Sequence, residues 1–149
     1  MTIKRATNPA FADEIRESFS QQTIMDLIGG ELTLIEPGVI EISLGYRSDL
    51  TQQNGYVHAG IITTIADSAC GYAAYSLMPP ESDVLAVEFK VNLLRPAKGD
   101  RFVARAEVIK PGKTLTVVRA DVVAIAGGED RQLVATMLGT MMRLPRRSE

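Results

Sequence analysis

The residue pattern predicts an α+β fold in which one curved antiparallel sheet wraps around a single long helix, with a helical segment ahead of it. Three observations carry this. A run from Ala59 to Leu77, rich in alanine and glycine, has helical apolar spacing. Two β-patterned stretches precede it around Pro37-Gly38, and four long ones follow it with only short turns between them. Consecutive strands joined by short turns pair antiparallel, and a sheet folded over one helix is the economical way to bury both. The 149 residues fit one domain, with residues 1–30 as an N-terminal helical segment and the core at about 31–144.

Residues 9–28 read as one helix. Asn8 is a good cap, Pro9 suits a first turn, Phe11, Ile15 and Phe19 form a loose apolar stripe, and Gly29-Gly30 ends the run. This segment is expected to cap the fold or cover part of a cleft. Leu32–Glu36 and Val39–Tyr46 form a hairpin through Pro37-Gly38, and the second strand alternates Ile40, Ile42 and Leu44 with Glu41 and Ser43. Residues 47–57 read as loop. In the long helix Ile62, Ile65, Ala66, Ala69, Ala73 and Leu77 share one face, while Thr63, Thr64, Asp67 and Gly71 lie on another, and Met78-Pro79-Pro80 stops it. Its many small residues imply a sheet packed close. Period-two alternation then runs from residue 84 to 95 (Leu85, Val87, Phe89, Val91, Leu93), followed by strands at Arg101–Lys110, Thr114–Ala126 and Leu133–Leu144. The strand at 84–95 is a plausible edge, free to pair with its own copy across a two-fold axis.

Composition narrows the function. A net charge of −2 gives no nucleic-acid footprint, and the basic residues Arg143, Arg146 and Arg147 read as a solvated tail. No apolar run reaches the length of a bilayer span, and the opening Met-Thr-Ile-Lys-Arg lacks a signal-peptide core, so a soluble cytoplasmic protein is expected. The one cysteine, Cys70, stands among Ala69, Gly71 and Ala73 and reads as a small buried hydrophobe rather than a nucleophile. One cysteine and one histidine fall short of the usual zinc ligand sets, so no metal is expected.

The most informative segment is Gln52-Gln53-Asn54-Gly55-Tyr56-Val57-His58-Ala59-Gly60, with Asp67 further along the helix that it opens. His58 is the only histidine. Nine residues separate it from Asp67, which is about 900° of helical rotation and about 13 Å of rise. The two side chains therefore leave opposite faces and cannot easily meet at one substrate atom within a chain. If both do chemistry, a symmetric dimer that sets His58 of one copy facing Asp67 of the other is the simplest solution. The first helical turn after His58 offers unpaired N–H groups at Ala59 and Gly60, suited to a developing oxyanion. A mid-helix carboxylate such as Asp67 is costly unless it has work to do.

The stretch Gly55-x-x-His58-x-Gly60-x6-Asp67, the strand ending Asn92-Leu93-Leu94-Arg95-Pro96-Ala97 and the turn Lys110-Pro111-Gly112-Lys113-Thr114 resemble the hotdog-fold thioesterases of the PaaI type, within the 4-hydroxybenzoyl-CoA-thioesterase-like superfamily. The resemblance covers about residues 30–144. It implies hydrolysis of an acyl-CoA thioester, with coenzyme A present only as part of the substrate, by a homodimer or homotetramer. It maps the carboxylate that acts as nucleophile or general base onto Asp67, the loop histidine onto His58, a polar amide onto Gln52, and the N–H that binds the thioester oxygen onto Ala59. Two departures stand out. The usual His-Gly-Gly is His58-Ala59-Gly60, which keeps the N–H but adds a methyl. The helper hydroxyl that some members carry on the next strand falls at Ala86 and is missing, leaving Thr63 or Thr64 to compensate. Asn54-Gly55 read as a turn bordering the substrate, and Arg95 and Lys113 as contacts for coenzyme A phosphates. A non-catalytic acyl-CoA or fatty-acyl binding module is the rival reading. An enoyl-CoA hydratase is a weaker one, because in such enzymes the aspartate precedes the histidine.

Overall fold

The structure is a computed structural model describing residues 4–147. Met1-Thr2-Ile3 of the opening segment and Ser148-Glu149 beyond the basic tail lie outside the described residues. The elements run α1 (Phe11–Ser20), α2 (Thr23–Ile28), β1 (Gly30–Glu36), β2 (Val39–Gly45), a 3-10 turn (Ser48–Leu50), α3 (Ala59–Tyr75), β3 (Ser82–Leu93), β4 (Arg101–Lys110), β5 (Leu115–Ala126) and β6 (Asp130–Pro145). All six strands form one antiparallel sheet in the order β1-β2-β4-β5-β6-β3. The chain thus has the hotdog architecture expected from its residue pattern.

Alternation explains why the sheet closes on α3. Phe102, Ala104, Ala106 and Val108 of β4 and Val118, Ala120, Val122 and Ala124 of β5 all turn to the same side and are buried. They meet Ile62, Ile65, Ala66, Ala69, Cys70 and Ala73 of α3. Small residues on both surfaces let the backbones approach closely, which the alanine-rich helix required. Burial pushes the Cys70 thiol up to about 12, with the Asp67 charge adding to the rise, so this sulfur stays a thiol and packs as a hydrophobe.

The N-terminal segment is two helices rather than one. Gln21 closes α1, and Gln22 takes an extended backbone, φ −76° and ψ 97°. Its side-chain amide bonds to Tyr72 of α3 instead, a tertiary contact that apolar spacing could not reveal. α1 also starts two residues later than the cap signal indicated, because Asn8 Oδ1 accepts from the Ala10 N–H in a turn that precedes the helix. A clasp then fastens α1 to the end of β6: the Tyr75 hydroxyl donates to Glu14, and Arg146 Nη2 reaches Glu14 Oε2 at 2.9 Å and Tyr75 at 2.8 Å. Smaller differences follow from hydrogen bonding. β6 begins at Asp130, so polar Arg131 and Gln132 belong to the strand, paired with Ile125 and Ala124. The regular part of α3 ends at Tyr75, not Leu77.

The strand with exposed apolar alternation is indeed an edge. β3 pairs with β6 on one side only. Val87, Phe89 and Leu93 stay 51%, 42% and 56% exposed.

Candidate active site

His58 is the N-cap of α3, and its own side chain serves that cap. Nδ1 accepts the Gly60 N–H at 2.9 Å. An imidazole accepting at Nδ1 while neutral carries its proton on Nε2, so Nε2–H is the free donor. A side chain at Gly60 would put its Cβ 3.1 Å from that Nδ1, so a larger residue there would press on the imidazole and shift it by a few tenths of an ångström. The cap has a chemical consequence. Two first-turn donors were expected, but the Gly60 N–H is occupied by His58. The Ala59 N–H has no acceptor among the described residues, which makes it the available oxyanion donor.

The loop before the helix holds Gln52 in a defined pose. Its N–H donates to Tyr56 O at 2.8 Å, its carbonyl accepts from Gly55 N at 3.0 Å, and its side-chain Oε1 accepts from the Asn54 N–H. With Oε1 committed, the Nε2 amide is left as a donor. This turn needs a left-handed residue, and Gly55 supplies it at φ +82°. Nothing lies within 4 Å of a Cβ built at Gly55, so Gly55→Ala costs backbone strain alone, about 1–2 kcal/mol. Gly55→Ala is expected to lower the Tm by several degrees and to lower kcat/KM, because Gln52 and Asn54 lose their positions. Thermal melts and steady-state kinetics check this, and a kcat/KM equal to that of wild type would contradict it.

Gln52, Asn54 and Ala59 line a cleft of about 480 Å³, whose other wall is Leu93, Leu94 and Arg95 at the end of β3. Arg95 is held there by donating to Leu133 O at 2.9 Å. His58 itself is exposed.

Asp67 lies elsewhere. It sits mid-helix in a second cavity of about 350 Å³, with Ser68, Gly71, Tyr72 and, from the start of β3, Val84, Leu85 and Ala86. Asp67 Oδ1 is buried with no hydrogen-bond partner among the described residues. Burial pushes its carboxyl above the ordinary aspartate range. A buried polar atom left unpaired calls for a partner or a function. The two cavities share no lining residue, and His58 lines neither of them.

The remaining sequence candidates divide. Ala86 borders Asp67 and supplies no hydroxyl. Thr64 bonds back to Gly60 O at 2.8 Å, so its hydroxyl supports the helix. Thr63 lines neither cavity. Lys113 lies beside Pro79 and Arg143 at the far end of α3, away from both cavities of its own chain. Pattern reading missed Ser18, Gln22 and Tyr72, which line the Asp67 cavity. Among the described residues no three His, Cys, Asp or Glu side chains are grouped to hold a metal, and no helix is long and apolar enough to cross a membrane.

A six-stranded antiparallel sheet wrapped on a central helix, which begins with a free Ala59 N–H and carries the unpaired Asp67 oxygen, places the chain in the hotdog class of folds. Comparison with known proteins makes the class specific: residues 54–130 match the family model described as the thioesterase superfamily, and the chain belongs to that family. A thioesterase family protein from Silicibacter pomeroyi superposes with a TM-score of 0.88 at 50% identity, covering 91% of this chain and 98% of that one. The E. coli PaaI protein shares the fold, with a TM-score of 0.83 at 19% identity over 95% and 98% of the two chains. A 1,4-dihydroxy-2-naphthoyl-CoA hydrolase of Listeria monocytogenes is 28% identical over 63% of this chain and 76% of its own length. The protein is therefore a thioester hydrolase of the thioesterase superfamily.

Proposed function

We propose that the protein hydrolyses an acyl-CoA thioester at a site built from two copies of the chain. The observation that carries this is the separation of complementary halves: a free Ala59 N–H in one cavity, an unpaired Asp67 oxygen in the other, at opposite ends of edge strand β3. Antiparallel pairing of β3 with its own copy, centred near Phe89, would set the Leu85–Ala86 end of one chain beside the Leu93 end of the other. It would cover the exposed Val87, Phe89 and Leu93 and supply the hydrogen bonds that an edge lacks. The Asp67 cavity of one copy would then adjoin the Ala59 cleft of its partner.

In that arrangement the thioester oxygen accepts from the Ala59 N–H at the positive end of α3. The Gln52 amide holds the attacking water or the carboxylate, and His58 offers Nε2–H to the oxygen. Asp67 of the other copy either attacks the carbonyl carbon, giving an anhydride that water then opens, or takes a proton from the water whose oxygen bonds to that carbon, and its desolvation strengthens it in both roles. The C–S bond breaks, the sulfur takes up the proton that the water gives up, and coenzyme A departs as the thiol, leaving the free acid. Arg95, at the mouth of the cleft, is placed for a phosphate of the coenzyme. The naphthoyl-CoA hydrolase among the relatives supports a CoA ester as substrate.

The test is CoA release from a panel of short, medium, long and aromatic acyl-CoAs with wild type and Asp67→Ala. Turnover that falls at least about 10²-fold in the variant is expected. Equal rates would overturn the assignment. Binding without turnover in wild type would point to a non-catalytic module.

A further inference from the structure

The Asp67 cavity has a second polar wall that the proposed chemistry leaves unused. Gln22, at the break between α1 and α2, donates from Nε2 to the Tyr72 hydroxyl at 2.8 Å and accepts at Oε1 from Ser68 Oγ at 3.3 Å. The same hydroxyl meets Ser18 Oγ at 3.0 Å. Tyr72 is buried, and all four side chains line the cavity that holds Asp67. Val84, Leu85, Ala86 and Met141 line it with apolar side chains, and Asp83 stands at the start of β3 with its Oδ1 accepting the Val84 N–H.

Counting donors shows what this wall selects. A primary amide has two N–H groups. Gln22 spends one on Tyr72, and the other has no acceptor among the described residues. A plain alkyl chain filling the cavity would strip water from that N–H and return nothing, whereas an oxygen on the chain would satisfy it. Sites built to hydrogen-bond a substrate oxygen discriminate against the analogue that lacks it far better than apolar pockets discriminate by size.

We propose that Gln22, held by Tyr72 and Ser68, determines specificity by donating to an oxygen on the acyl group, so that hydroxylated acyl chains are preferred over plain alkyl chains. The proposal rests on the thioesterase reading above and adds that the acyl group of the thioester held at Ala59 extends into this adjoining cavity. A purely structural role for the network, tying α1 and α2 to α3, would lower stability and slow every substrate alike.

The test uses butanoyl-, hexanoyl- and octanoyl-CoA, each paired with its terminally hydroxylated counterpart, with wild type and Gln22→Met, a variant of similar length that lacks the amide. kcat/KM is measured for each pair, and Kd for the matching non-hydrolysable thioether analogues. In wild type the hydroxylated member of at least one pair is expected to be favoured about tenfold, the value of one neutral hydrogen bond. In Gln22→Met that ratio is expected to fall to about one. A wild type with no preference in any pair, or a preference that survives Gln22→Met, overturns the proposal. The two readings fail separately. Preference in Kd without turnover removes the hydrolase and keeps the role of Gln22, whereas turnover without preference does the opposite.

Discussion

Ala59→Pro is expected to lower kcat by about 10²–10³-fold, the effect of deleting one oxyanion donor, without unfolding the helix that carries it. Ala59 is the first residue of α3, and its N–H has no protein acceptor among the described residues. Proline is favoured at the first helical position because the missing N–H is one that the helix does not use. The residue before a proline must be extended, and His58 already is, at φ −59° and ψ 138°. The substitution therefore replaces the N–H with a ring methylene, removing the donor and crowding the position of the thioester oxygen while the helix keeps its backbone. Circular dichroism and thermal melts should match wild type while kcat collapses. A kcat within threefold of wild type would show that the thioester oxygen is held elsewhere.

The same variant tests the composite site. Ala59→Pro damages the donor cleft, and Asp67→Ala damages the carboxylate cavity. If each site draws one half from each copy, every homodimer of either variant has two broken sites. A mixed dimer concentrates both lesions in one site and leaves the other whole. Subunit exchange at equal amounts makes half the dimers mixed, so activity should return to roughly a quarter of wild type. Sites contained within one chain would show no recovery.

What the residue pattern revealed and what it hid divide along the range of the interactions. Alternation from Leu85 to Leu93 and the small-residue face from Ala66 to Ala73 are local periodicities, and the structure turns them into the edge strand and the buried helix. The start of the helix at His58 was also local, because a cap residue and the apolar spacing after it lie within one segment. Contacts between distant segments left no such trace. The break at Gln22 depends on Tyr72, and the clasp of Glu14 depends on Tyr75 and Arg146. The loss of Gly60 as a donor was illegible for another reason. It follows from the rotamer of His58, which turns a capping interaction into competition for the N–H that the sequence offered to substrate.

Asp67→Asn is expected to abolish turnover by about 10²–10⁴-fold, the usual contribution of a catalytic base, and to raise stability at neutral pH. Both effects come from the same desolvation. Burial disfavours the carboxylate, so its folded pKa lies above the ordinary 3.8. A group whose pKa is raised on folding stabilises the fold in its protonated form. That contribution is complete below the unfolded pKa and is lost as pH rises through the folded one. At neutral pH wild type holds an unpaired negative charge in a cavity, and asparagine holds none. The Tm advantage of Asp67→Asn should therefore shrink as pH falls through the folded pKa of Asp67. Wild-type kcat/KM should fall in that same window, because the rate needs the carboxylate that the fold disfavours. Melts of the two proteins across pH, set beside the wild-type rate profile, check both at once. A Tm difference that does not change with pH would mean that the Asp67 carboxylate is satisfied in the assembled protein, and that the orphaned oxygen of the single chain finds its partner on the second.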